Sequence, residues 1–240
     1  MRKILVMAAL ACLVSGVALA DSLSVTSTAA MGGVADQTCT GDGMPGPCGL
    51  EVFHDNSSVA FVEDQSPQNE TVYRASFLFN PNNISPGAKL RQNIFRAIGP
   101  NPNPGVGSCD LAGLKNVGRV FLLLYRPDGS RYAAFLQGIG NQCGERATLR
   151  VELEPDTPKR ICVEMEFGNT LSGRLAIAAV DIGDPCPTSG SGAWQERDLS
   201  NGLTNVDRVR LGTPGTNNFG AGESGDMYFD EFESFRTLAP

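Results

Sequence analysis

The chain has 240 residues, of which 19 are basic and 26 acidic, and its formal net charge is −7. An acidic surface argues against nucleic acid and anionic membranes as partners, because both attract clusters of Lys and Arg. It is compatible with divalent cations and neutral sugars.

The first twenty residues have the pattern of a secretory signal peptide. Arg2 and Lys3 precede an apolar run, and a small-x-small cleavage site ends at Ala20. Its removal leaves 220 residues and a net charge of −9, since the leader holds two bases and no acid. The run is too short for a stable membrane span, and a lipoprotein alternative would use Cys12. We therefore expect a secreted or periplasmic product without a membrane span.

The mature chain is predicted to have an N-terminal arm with a disulfide loop, residues 21–48, and one domain, residues 49–240. Residues 21–33 are small and polar, and are either an early edge strand or a mobile arm. A first long strand places Tyr73, Ala75, Phe77 and Phe79 on one apolar face. Residues 119–140 read as a hairpin around a Pro-Asp-Gly turn, with an apolar first strand that befits the centre of a sheet.

Residues 147–182 read as three consecutive strands, of which the first two are apolar at every second position. If the first two form a hairpin, their charges favour Glu152 opposite Arg160 and Arg146 opposite Glu166, with a loop through residues 154–158. The chain then loosens, with one short helical turn expected around Trp194. The strands DRVRLG and DMYFDEFESF follow, and the second is expected to complete a sheet.

Short strands separated by Gly, Pro, Asn and Asp, without apolar residues at helical spacing, predict an all-β fold. Two packed antiparallel sheets are the expected architecture.

Six cysteines remain after the leader is removed, which predicts three disulfides in an oxidising compartment. Cys39 and Cys48 bracket a turn-rich segment and form the first pair. The other four allow three connectivities, and we favour the first two together and the last two together: Cys109, Cys143, Cys162 and Cys186. A zinc site is disfavoured, because there is no C-x-x-C pair and the chain has a single histidine.

The runs GLTNVDRVRLG and SGDMYFDEFESFR resemble the closing strands of concanavalin A-like, laminin G-like jelly rolls of secreted bacterial proteins. VELEPDTPKRICVEMEFG and GRLAIAAVD resemble the middle strands of that fold, and FVEDQSPQNETVYRASFLF its first long strand. The resemblance covers most of residues 49–236 and implies a two-sheet jelly-roll sandwich. This fold hosts lectins, adhesion modules, glycosidases and lyases alike, so it does not assign an activity.

Calcium is the cofactor that the resemblance suggests, because several such modules bind it at a sheet rim. Asp181, Asp184 and Asp230 lie near predicted strand ends and offer the hard oxygen ligands that calcium takes. Trp194, the single tryptophan, is a candidate sugar-stacking platform in a polar loop, although packing over a sheet edge is the commoner fate of such a residue.

No catalytic residue is assigned from the sequence. The E-x-D-x-x-E pattern of glycosidases with this fold is broken, since Tyr228 stands in its first place. Glu164 and Glu166 lie two apart on one strand and could approach the separation of about 5 to 5.5 Å that a retaining glycosidase needs. A solvated acidic sheet face is the favoured explanation of the two.

We therefore expect a non-enzymatic binding module for carbohydrate or another extracellular surface component. Two alternatives stay open: a polysaccharide-cleaving enzyme of the same fold, and a structural or adhesion protein with a protein partner.

Overall fold

The computed structural model describes residues 23–27, 31–32, 50–55, 60–82, 84–86, 91–99, 118–125, 132–139, 146–168, 172–201, 205–214 and 223–237. Within these ranges the chain forms fifteen β-strands and no helix, so the predicted all-β class is confirmed. The described residues contain no helix that could cross a membrane. The predicted signal peptide, residues 1–20, lies outside the described residues.

The strands form two antiparallel sheets. The seven-stranded sheet contains, in spatial order, β1 (Leu23–Ser27), β4 (Ala60–Asp64), β14 (Arg208–Thr213), β7 (Arg91–Ile98), β8 (Gly118–Tyr125), β9 (Tyr132–Ile139) and β10 (Arg146–Leu153). The eight-stranded sheet contains β13 (Gln195–Leu199), β12 (Gly173–Val180), β11 (Lys159–Glu166), β5 (Val72–Asn80), β15 (Glu223–Phe235), β3 (Leu50–Asp55) and β2 (Met31–Gly32), with β6 (Ser85–Pro86) beside β15.

One apolar core lies between the two sheets. Tyr73, Ala75, Phe77 and Phe79 of β5 are all fully buried in it, which confirms the face predicted for this strand. Phe77 stacks on Phe95 of the other sheet, with 5.9 Å between ring centroids. Each buried aromatic side chain contributes about 1.5 to 3 kcal/mol relative to an exposed one. The two sheets therefore form the predicted jelly-roll sandwich.

Several predicted elements are present. β8 and β9 form the predicted hairpin, and β8 is central because it also pairs with β7. β15 pairs with β5 on one side and β3 on the other, so the last strand completes its sheet from the middle. β1 and β2 are edge strands, so part of the predicted N-terminal arm joins the sandwich.

The predicted hairpin between β10 and β11 is wrong. β10 pairs with β9 in the seven-stranded sheet, whereas β11 pairs with β5 and β12 in the eight-stranded sheet. Residues 154–158 therefore cross from one layer to the other, and Glu152 does not pair with Arg160. Each strand has one apolar face, and these faces meet across the core rather than side by side. Alternation alone does not distinguish the two arrangements.

Candidate functional site

The outer face of the eight-stranded sheet is covered by the chain between β12 and β13. We call residues 181–194 the covering loop. Cys186 in this loop is disulfide-bonded to Cys162 of β11, with 5.8 Å between their Cα atoms. This confirms the favoured pairing of these two cysteines. The pairs predicted for Cys39, Cys48, Cys109 and Cys143 lie outside the described residues.

Trp194 closes the covering loop against the sheet. Its side chain is 5% exposed and packs with Cys162, Ala176 and Ala178 in a small apolar cluster. Its indole N–H donates a hydrogen bond to the carbonyl of Thr188 at 2.9 Å. A ring this buried has no open face for a sugar, so Trp194 is a packing residue here. A turn, with no helix, precedes it, and strand β13, which the sequence analysis did not predict, begins directly after it.

Glu164 and Glu166 do not form an open carboxylate pair. Glu164 is fully buried under the covering loop, where Arg174 Nη1 donates to its Oε2 at 2.8 Å and Ser189 Oγ to its Oε1 at 2.6 Å. Burial alone would lower the pKa of Arg174, but its bonds to Glu164 and Glu196 outweigh that and raise the pKa. The buried carboxylate is thus held as a structural ion pair, and a hydrolase built on this pair is disfavoured.

Two of the three aspartates proposed for calcium form hydrogen bonds within the protein. Asp181 accepts a hydrogen bond from Lys159 Nζ, and Asp230 Oδ1 accepts one from the Glu231 N–H at 2.7 Å. Among the described residues no group of three or more His, Cys, Asp and Glu side chains is arranged to hold a metal ion. The calcium site at Asp181, Asp184 and Asp230 stays a prediction from the sequence.

The outer face of the seven-stranded sheet carries a group of positive charges. Arg208 and Arg210 alternate along β14 with Val209 and Leu211, which are buried in the core, so both arginines lie on the outer side. Arg96 of β7 lies directly opposite Arg210. Paired strands are about 4.8 Å apart, so the three guanidinium groups are neighbours. We call Arg96, Arg208 and Arg210 the arginine cluster.

One carboxylate partly balances this cluster. Glu63 of β4 lies opposite Arg210 and is 5% exposed; Arg210 Nε donates to its Oε2 at 2.5 Å and Gln65 Nε2 to its Oε1 at 2.8 Å. The guanidinium of Arg210 also lies 4.3 Å from the ring centroid of Phe61. Contacts on two sides therefore fix Arg210 in place.

The charges of this face shift the pKa values of its members. Burial, followed by the charges of Arg210 and Arg208, lowers the pKa of Arg96. Burial would raise the pKa of Glu63, but hydrogen bonds from Arg210 and Gln65 and the charges of Arg210 and Arg208 hold it below its ordinary value. Like charges directly opposite each other destabilise a sheet. Three guanidinium groups on one face also make the local potential positive, which attracts anions.

A bulge in β7 brings a buried amide onto the same face. The register with β8 shifts between Asn93 and Phe95, so Asn93 lies on the outer side with Arg96, although their numbers differ in parity. Asn93 is 3% exposed, and its Oδ1 has no hydrogen-bond partner among the described residues. A buried amide oxygen without a partner costs about 1 to 3 kcal/mol. Bulges often aim side chains into functional sites.

The register extends this face across the sheet. Arg96 is opposite Phe121 of β8, Phe121 is opposite Gln137 of β9, and Gln137 is opposite Thr148 of β10. Gln137 is partly exposed and Thr148 is exposed. Hydroxyl and amide groups of this kind bind sugar hydroxyls. The face thus combines a positive centre with neutral polar side chains, and at the β10 edge it also carries the exposed ion pair of Arg150 and Glu152.

No protein-family model matches the chain, and no curated protein matches it in sequence. Solved structures do match in fold. An alginate lyase from Pseudomonas aeruginosa superposes with a TM-score of 0.53 at 13% identity, over 79% of this chain and 83% of that one. An endo-β-1,4-glucuronan lyase from the fungus Trichoderma reesei gives 0.52 at 12% identity, over 90% and 88%. An alginate lyase in complex with an alginate tetrasaccharide gives 0.54 at 13% identity, over 80% and 82%.

These matches establish a shared fold and correct one expectation. From the sequence we expected a protein without enzymatic activity, because no glycosidase signature is intact. The comparison contradicts that preference, because the matched proteins are polysaccharide lyases. The E-x-D-x-x-E pattern is a signature of glycosidases, and its absence does not argue against a lyase. The open alternative of a polysaccharide-cleaving enzyme fits the findings better.

Proposed function

We propose that the protein is a secreted polysaccharide lyase that cleaves an acidic polysaccharide on the outer face of its seven-stranded sheet. The observation that carries the proposal is the arginine cluster. Arg96, Arg208 and Arg210 gather on one face of a protein whose net charge is −7. A negatively charged polymer is repelled by most of such a surface and attracted to this face, so charge alone directs the substrate to it.

The arginines suit the chemistry of a lyase step. A uronic acid carries a carboxylate next to the carbon whose proton must leave. Guanidinium groups bind that carboxylate in bidentate fashion and stabilise the negative charge that develops when the proton is removed. The electron pair then forms a carbon–carbon double bond, and the glycosidic oxygen at the β position departs with its bond electrons. Because arginine stays protonated, the cluster supplies charge stabilisation and another group accepts the proton.

Other features of the protein also support the proposed lyase function. Glu63 and Phe61 hold Arg210 in one position, so little ordering remains to be done when substrate binds. The fold shared with alginate and glucuronan lyases supports a uronate polymer as the substrate class. The disulfide between Cys162 and Cys186 supports an oxidising compartment, in keeping with the predicted signal peptide.

The test is an assay of the purified protein against two polymer classes. Polyuronates, namely alginate and β-1,4-glucuronan, are compared with a neutral β-glucan of similar length. The unsaturated product is followed by its ultraviolet absorbance and by mass spectrometry, which separates elimination from the addition of water. We expect unsaturated oligosaccharides from at least one polyuronate and none from the neutral glucan. Products that carry an added water, or no cleavage of any polyuronate, would contradict the proposal.

A further inference from the structure

The covering loop has its own local structure. Three turns follow one another along it, closed by backbone bonds from Asp184 N–H to Asp181 O at 3.1 Å, from Ser191 N–H to Thr188 O at 3.1 Å, and from Trp194 N–H to Ser191 O at 3.3 Å. Between its ends most residues are exposed or partly exposed. The loop is therefore a chain of turns laid on the sheet, and its backbone adds no strand there.

The loop is attached to the sheet below it at few points. The disulfide ties Cys186 to β11, Ser189 bonds Glu164, Trp194 packs over Ala176 and Ala178, and at the rim Asp181 forms an exposed ion pair with Lys159 of β11. Segments with few buried contacts and exposed backbone open at a lower free energy than the core they cover. The covalent bond is thus the attachment that most restrains the loop.

The sheet beneath does not depend on the loop. β11 pairs along its length with β5 on one side and β12 on the other, and its inward residues Ile161, Val163 and Met165 are fully buried in the main core. β12 is held further by β13. Release of the loop leaves these pairings and the main core in place.

We propose that the Cys162–Cys186 disulfide is a redox latch that holds the covering loop closed over the eight-stranded sheet. A dithiol reductant attacks the disulfide, a mixed disulfide forms, and the second thiol of the reductant completes the exchange. Two electrons and two protons pass to the protein, which gains two thiols, and the reductant leaves as a disulfide. Cys186 is partly exposed, so the attacking thiolate has access from the loop side.

Opening the latch changes one surface only. It uncovers Cys162, Ala176 and Ala178 together with the ion pair of Glu164 and Arg174, all of which the closed loop shields. The arginine cluster lies on the other sheet, on the opposite side of the sandwich. The latch therefore acts independently of the proposed lyase site, and failure of either proposal leaves the other standing.

The single tryptophan reports on the latch, because Trp194 lies in the covering loop. The full-length oxidised protein is treated with a dithiol under native conditions, and tryptophan emission, acrylamide quenching and far-ultraviolet circular dichroism are recorded. We expect emission to shift to longer wavelength and quenching to rise about twofold or more, while the β-sheet spectrum is unchanged. Reoxidation restores the starting signals.

A double variant separates this disulfide from the other cysteines. Cys162→Ala with Cys186→Ala should show the open signals without reductant and give no further tryptophan response to a dithiol. The proposal is overturned if reduction of the pair, verified by thiol labelling, leaves Trp194 protected. It is equally overturned if the pair resists reduction until the protein unfolds, or if the β-sheet spectrum is lost when the pair is broken.

Discussion

Glu63 and Arg210 lie directly opposite each other on β4 and β14, and Arg210 Nε donates to Glu63 Oε2 at 2.5 Å. The same guanidinium is opposite Arg96 on its other side and lies over the ring of Phe61. Glu63 thus forms an ion pair with one arginine of the cluster, and Arg96 and Arg208 add two further positive charges to the same face. The pair links the stability of the sheet to the charge of the face that we propose binds substrate.

Replacement of Arg96 should remove much of the proposed activity. Arg96→Ala deletes a guanidinium that stabilises the developing carboxylate charge, and the loss of one such donor lowers kcat by about 100-fold. The measurement is the rate of unsaturated-product formation from a polyuronate. Folding should be preserved, because the change also relieves the repulsion between Arg96 and Arg210.

The matched control is an arginine outside the face. Arg197→Ala, on the exposed edge strand β13, removes the same charge from the whole protein. Its rate should stay within about twofold of the parent, since exposed charges far from a site are screened by salt. Equal losses in both variants would show that overall charge, and not the arginine cluster, controls the reaction.

Neutralisation of Glu63 should lower stability in a pH-dependent way. The folded pKa of Glu63 lies below its ordinary value of 4.5. Its ionised form therefore contributes stability that is fully present above about pH 4.5 and is lost as the pH falls through the folded pKa. We expect Glu63→Gln to lower the free energy of unfolding by about 1 to 3 kcal/mol at neutral pH, as measured in urea. The difference should shrink toward zero in acid; a constant difference would contradict it.

The same variant should strengthen anion binding. Glu63→Gln frees Arg210 from its carboxylate and raises the positive charge of the face, so the Kd for a polyuronate oligosaccharide should fall at neutral pH. The change should be largest at low ionic strength and diminish as salt is added. Isothermal titration at two salt concentrations measures it. Weaker binding by Glu63→Gln would contradict this prediction and show that the position in which Glu63 holds Arg210 matters more for binding than the charge that Glu63 cancels.

The sequence predicted strands far better than it predicted their partners. Alternation located β5, β10 and β11, because a buried face repeats at every second residue. A continuous apolar run followed by a Pro-Asp-Gly turn located the β8–β9 hairpin. Alternation placed β10 and β11 in one sheet, although they belong to two. Alternating apolar side chains indicate that one face of a strand is buried. They do not indicate in which of the two sheets the strand lies. The ion pair proposed between Glu152 and Arg160 therefore had less influence on strand pairing than burial of the apolar faces in the core.

The sequence shows part of the arginine cluster, but it does not predict that all three arginines lie together. Arg208 and Arg210 are two apart on a predicted strand, which already places them on one face of an acidic protein. Arg96 joins them through a pairing of β7 with β14, more than 100 residues apart in the chain. Asn93 shares that face only because of a bulge, which breaks the parity that sequence reasoning uses. Glu164, by contrast, was misread because its cover, the covering loop, follows in the chain without any periodic signal.

Replacement of Arg174 should lower the unfolding free energy, because the carboxylate of Glu164 beneath the covering loop would lose its ion-pair partner. Arg174→Met leaves the carboxylate of Glu164 fully buried without its guanidinium partner, so we expect a loss of about 3 to 5 kcal/mol in unfolding free energy. Adding Glu164→Gln should recover a large part of that loss, since no buried charge then remains. Glu196→Gln, which removes an exposed partner of Arg174, should cost no more than about 1 kcal/mol. A double variant as unstable as Arg174→Met alone would contradict the ion-pair account.

Gly173 at the start of β12 should not tolerate a side chain. A Cβ built there would lie 1.8 Å from Asn201 Oδ1 and 2.6 Å from the carbonyl oxygen of Leu199. Asn201 cannot simply turn away, because its Oδ1 accepts from the Gly168 N–H at 3.0 Å and its Nδ2 donates to the Glu166 carbonyl at 3.2 Å. Gly173→Ala must therefore displace β13 or break these bonds, at a cost of about 1 to 3 kcal/mol in unfolding free energy.

The covering loop supplies the matched control for that substitution. A Cβ at Gly192 meets nothing within 4 Å, so Gly192→Ala should leave the melting temperature unchanged or raise it slightly by restricting the unfolded chain. Both variants are compared by thermal unfolding under oxidising conditions. If Gly173→Ala melts at the same temperature as the parent protein, β13 is not packed against β12 as described.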